Sequence, residues 1–143
     1  MTCSSGIDNN DLLQLVNIMI YLHLSSKDSL HFHPNNVWYD FTIELPSTIS
    51  GSFRCGLLEF FSTSSMQEDL YIFSDICEPE FIHDSLLPLL RIVTEPGEMS
   101  IPHFKSVSRK EIQRIRVYIR NKNLVVPDLN IGIVRMTLAL ESI

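Results

Sequence analysis

Two stretches decide the fold: Ile112–Arg120, IQRIRVYIR, and Ile133–Leu140, IVRMTLAL. In the first, Ile115, Val117 and Ile119 alternate with Arg114, Arg116, Tyr118 and Arg120. In the second, Val134, Met136, Leu138 and Leu140 alternate with Ile133, Arg135, Thr137 and Ala139. A period of two buries one face of a strand and leaves the other to solvent or to a partner. A helix over 112–120 would scatter Ile112, Ile115, Val117 and Ile119 beside Arg116 and Arg120, whereas a strand segregates them.

Outward from these, the chain reads as six further strands. They are expected at 17–24, 37–45, 52–61, 70–75, 86–94 and 103–107, with the last two at 112–120 and 131–140. On the second, Tyr39, Phe41, Ile43 and Leu45 share one face, and Trp38, Asp40, Thr42 and Glu44 the other. Pro46–Gly51 reads as a turn, Cys77–Ser85 and Glu95–Pro102 as loops. Pro88 puts the fifth strand at an edge or delays its start to Leu89. Residues 1–16 are expected as a flexible N-terminal arm, or in part as the cap of a short helix over Leu12–Val16, and 17–143 as a single domain. Eight strands with regular turn signals predict an all-β fold, a sandwich or a barrel.

A chain of 143 residues is one domain, able to bury roughly 68–70% of its unfolded surface without metal or disulfide staples. The net charge of −6 disfavours a general nucleic-acid binder. The charge is uneven: Arg109, Lys110, Arg114, Arg116, Arg120 and Lys122 are six of the eleven basic residues. Cys3, Cys55 and Cys77 form no CxxC, so free thiols in a reducing compartment are expected, with Cys55 in the core. The longest apolar run, Ile18–Leu24, is too short to span a bilayer, and no secretory signal is read at the N-terminus.

Catalytic motifs are missing. There is no G-x-S-x-G, P-loop, G-x-G-x-x-G or H-E-x-x-H. His31 and His33 form an H-x-H pair without a third ligand at a telling spacing. Asp75, Glu78, Glu80 and Asp84 cluster, but not with EF-hand spacing, and read as a solvated acidic loop. An enzyme, a metal and a cofactor are therefore not expected. The most unusual constellation is basic: Arg114, Arg116 and Arg120 share a face with Tyr118. Arg and Tyr are enriched at protein interfaces, so these residues, with Trp38, are the candidate subunit interface, met by acidic loops of a neighbour. Trp38 and Phe60 fall on the face opposite their strands' other apolar residues, a sticky outer patch or two-sided burial.

The opening YLHLSSKDSLHFHPNNVWYDFTIELPSTISGSFRCGLLEF resembles small proteins of Maverick/Polinton elements and adintoviruses. The matching residues are Ser26, Asp28, Ser29, Phe32, Asn35, Asn36, Phe41, Leu45, Pro46, Gly51, Leu57 and Glu59; Phe53 stands where the family has Trp. YIFSDICEPEFIHDSLLPLLRIV and PHFKSVSRKEIQRIRVYIRNKN…GIVRMTLALE are similar in the same order, so the resemblance spans about residues 18–141. It implies a single eight-stranded jelly roll of two packed antiparallel sheets. It further implies a penton or minor capsid protein of an icosahedral double-stranded DNA virus or virus-like transposon. Such a subunit would form a homo-oligomer, a pentamer, beside a major capsid protein in the virion, after synthesis in the host cytoplasm. The alternative is an attachment head, trimeric and glycan-binding, with Trp38 and Tyr39 beside the HPNN loop as its ligand surface.

Overall fold

A computed structural model of the chain describes residues 18–143. The expected arm at 1–16 lies outside the described residues. In chain order the first strands are β1 (Met19–Ser25), β2 (Asp40–Ser50), β3 (Phe53–Ser62), β4 (Leu70–Ser74), β5 (Glu80–Ile82) and β6 (Ser85–Leu87). Then come β7 (Leu89–Val93), β8 (Gly97–Glu98), β9 (Lys105–Ser106), β10 (Glu111–Arg120) and β11 (Val134–Ser142). Every pairing is antiparallel, and no helix occurs among the described residues.

One sheet runs β1-β11-β3-β8, with β9 also paired to β3; the other runs β2-β10-β4-β7; β5 and β6 form a separate hairpin. The inward residues of both sheets meet in one apolar cluster. It takes Leu24, Leu57, Met136, Leu138 and Leu140 from the first sheet and Phe41, Ile43, Ile72, Ile115, Val117 and Ile119 from the second. Each large side chain so buried contributes about 1.5–3 kcal/mol over leaving it exposed. The architecture is all-β and consistent with a β-sandwich. Cys55 lies in this core, as expected. Cys77 is buried beside it as a free thiol; a hydrogen bond between the two and burial raise the pKa of Cys55.

The strands at 112–120 and 131–140 are present, the second shortened at its start because Gly132 adopts φ +81° and Ile131 turns into the core. Elsewhere the boundaries differ from expectation for local reasons. β2 continues through the stretch expected as a turn. Pro46 falls between the pairs Arg114↔Glu44 and Ile112↔Ile49, where the ladder is interrupted, so its missing N–H forfeits no bond. The 77–85 loop holds β5 and turns at His83, φ 54°; the 95–102 loop holds β8. The fifth strand starts at Leu89, after Pro88, whose carbonyl accepts the Ser74 N–H at 3.0 Å.

Candidate assembly face

Sequence alternation on β10 dictates its outer face. Ile112, Ile115, Val117 and Ile119 are fully buried; Arg114 and Arg116 are exposed; Tyr118 and Arg120 are half-buried. The antiparallel register sets Arg114 opposite Glu44, Arg116 opposite Thr42 and Tyr118 opposite Asp40. Cross-strand and diagonal neighbours then fall within reach of long side chains. Arg114 donates from Nε to Glu44 at 2.9 Å. Arg116 makes a two-pronged pair with Asp40, Nε at 3.0 Å and Nη2 at 2.8 Å. Arg120 donates through Nη1 to the carbonyls of Ile119 at 2.8 Å and Tyr39 at 3.3 Å.

Tyr118 organises the centre of this face. The guanidinium carbons of Arg116 and Arg120 lie 4.7 and 5.1 Å from its ring centre. The ring stacks on Phe73 at 5.0 Å with a 15° interplanar angle. Phe73 is itself fully buried yet outside the central cluster, so β4 is covered on both faces. Burial raises the Tyr118 pKa, against the pull of the two guanidiniums. The bond to Asp40 raises that of Arg116.

Two of the arginines expected to seek a neighbour's acidic loops, Arg114 and Arg116, thus find carboxylates in their own chain, while Arg120 bonds backbone carbonyls. The sequence shows Asp40 and Glu44 on one face of β2, and the register with β10 brings that face beside Arg114 and Arg116. Among the described residues Arg114 uses only Nε, which leaves its terminal nitrogens for a partner.

Trp38 does not sit on the outer face of a strand. It precedes β2 in the tight turn closed by the Val37–Asp40 bridge, half-buried against the core and edge-on to Tyr39 at 5.4 Å. Phe60 is likewise not an outer-patch residue. Between the pairs Thr137↔Glu59 and Leu138↔Leu57, Leu58 is an extra residue in β3. The bulge shifts the alternation by one, so Phe60 is fully buried although Phe53, Cys55 and Leu57 precede it in the odd phase.

The H-x-H pair is split. His33 Nε2 meets Glu44 at 2.9 Å, while His31 packs edge-on against Phe32. The His33 bond, followed by that from Arg114, lowers the Glu44 pKa. Around it the 26–36 loop is fastened to β2: Ser29 Oγ accepts the Glu44 N–H at 2.9 Å, and Asn36 bonds both the N–H and the C=O of Thr42. Because β2 is an edge strand, these side chains occupy backbone groups that would otherwise invite another strand. In the acidic cluster, Asp75 pairs with Arg109 at 2.5 Å and Glu80 with Lys105 at 2.6 Å.

Neither a family model nor a curated protein matches the chain. No helix among the described residues is long and apolar enough to cross a membrane.

Proposed function

We propose that this chain is a structural protein, a jelly-roll capsid subunit of the penton type that works by assembling into a ring. The observation that carries the proposal is strand order. β1-β11-β3-β8 and β2-β10-β4-β7 interleave early and late strands in the manner of two Greek keys folded into two sheets. On this reading the eight strands of the two orders make up the jelly roll, β9 supplements β8 on the rim of β3, and the β5–β6 hairpin is an insertion between β4 and β7. Fold alone does not assign function. The second support is the resemblance of residues 18–141 to the small capsid proteins of Maverick/Polinton elements and adintoviruses.

On this reading the ring closes by heterologous contacts, one edge of a subunit against the opposite edge of the next. The face bearing Arg114, Arg116, Tyr118 and Arg120 takes part as a pre-ordered surface. Its side chains are already held by Asp40, Glu44 and Phe73, so little rotamer freedom is lost on docking. Trp38 contributes from beneath, by fixing the turn into β2. Neighbouring major capsid protein would occupy the periphery, and neither catalysis nor a cofactor enters.

Negative-stain electron microscopy of the purified full chain tests this reading. Class averages with fivefold rotational symmetry are expected. Threefold particles would transfer the assignment to an attachment head, and particles the size of one chain alone would overturn the ring.

A further inference from the structure

The outer face of the first sheet carries a polar concavity that the assembly reading does not use. Three adjacent strands set side chains on it two by two. His23, Thr137 and Glu59 form one row, and Ser25, Arg135 and Phe61 the next. With Asp28 they line a space of about 400 Å³, within the range of small-molecule sites, roughly 300–1,000 Å³. The bulge at Leu58 builds this wall, since it sends Phe60 inward and turns Glu59 and Phe61 outward. Bulges recur beside functional sites because they re-aim side chains in this way.

The hydrogen bonds fix which atoms face the space. Thr137 donates its hydroxyl proton to Glu59 Oε1 at 2.8 Å, and its oxygen lies 3.1 Å from His23 Nδ1. A carboxylate can only accept, so His23 donates through Nδ1, and Nε2 becomes the acceptor of the neutral ring. Asp28 Oδ2 accepts the Ser25 N–H at 2.9 Å, which leaves Oδ1. Among the described residues, His23 Nε2, Glu59 Oε2, Asp28 Oδ1 and the Arg135 guanidinium have no protein partner. Thr137, only 6% exposed, locks the row, while Phe61, 37% exposed, offers an apolar ring at its edge.

Three acceptors and one donor beside an aromatic surface call for a ligand with several hydroxyl donors along one edge and a C–H face to lay on Phe61. Asp28 and Glu59 repel an acidic ligand, and Arg135 in the same wall opposes a cation. We propose that this concavity binds a neutral saccharide.

The 143-residue chain is screened against immobilised neutral and sialylated glycans. It is then titrated with methyl α-mannoside, methyl β-galactoside and N-acetylglucosamine while backbone amide NMR shifts are followed. At least one neutral sugar is expected to shift the amides of residues 23–25, 59–61 and 135–137. Glu59→Gln and Phe61→Ala change exposed or half-exposed groups on the outer face, and each should weaken that binding about tenfold. Four results would overturn the proposal: no neutral sugar moving these amides, shifts confined to another surface, a preference for sialylated glycans, or unchanged affinity in both variants. None of these outcomes depends on ring formation.

Discussion

Gly132 shows how one residue fixes a connection. Its φ of +81° is one that L side chains rarely adopt, and an added Cβ would stand 1.8 Å from Thr63 Oγ1. That hydroxyl oxygen accepts the Ile133 N–H at 2.9 Å, so it is not free to move aside. Gly97 has φ +125° and open space around it. Both Gly→Ala variants bear the backbone cost, but only Gly132→Ala adds the clash. Its unfolding free energy in urea should fall at least about 1 kcal/mol further than that of Gly97→Ala. Glu44 is the second decisive residue. Its pKa is lowered by His33 and then Arg114. A carboxyl lowered in the folded state contributes stability that is present above its unfolded pKa and is lost as pH falls through the folded one. The stability difference between the natural chain and Glu44→Gln should therefore shrink as pH drops through and below the ordinary carboxylate range. A gap that stays constant in acid urea titrations would show that the carboxylate charge has no part in holding the 26–36 loop.

At the scale of the strand, β3 is the informative element. Simple alternation from Phe53 puts Phe60 outside; the bulge at Leu58 puts it in the core. Phe60→Ala should cost about 3–5 kcal/mol in urea unfolding, whereas Phe61→Ala on the outer face should cost about 1 kcal/mol or less. Equal losses would mean that the alternation runs without a bulge. The same comparison marks what a sequence can tell. Ile115–Arg120 is legible with its buried face, because period two needs no knowledge of the partner. On Val134–Leu140 the core residues Val134, Met136, Leu138 and Leu140 are legible, but the burial of Thr137 and Ala139 on the other face is not. Bulges in β3 and opposite β10 are not, because the extra residue is fixed by the register with a neighbouring strand. The run of β2 through Pro46 was hidden for the same reason: a proline reads as a break until the partner strand is known to skip that position. The short rim strand β8 exists only through its contact with β3 and lies in a stretch expected as a loop, whereas the strand expected at 103–107 is present as β9, shortened to Lys105–Ser106. The basic face of β10 was visible as a set of residues. Its carboxylate partners became evident only once the pairing of β10 with β2 was known.

At the scale of the molecule, the internal pairing of the arginines decides how assembly is probed. Arg→Glu at 114, 116 and 120 would set new carboxylates beside Asp40 and Glu44 and disturb folding together with association. Arg→Gln at the three positions keeps hydrogen-bonding capacity, and the exposed pairs it removes are worth about 0.2–1 kcal/mol each. The chain should still unfold cooperatively, so a loss of association would report the interface. The central claim is that this fold works by closing a ring. Native mass spectrometry of the full chain tests it most directly, with the triple Gln variant measured in parallel. The account predicts a pentamer at five times 16.4 kDa for the natural chain and smaller species for the variant. A natural chain found only as a monomer or a trimer would contradict it.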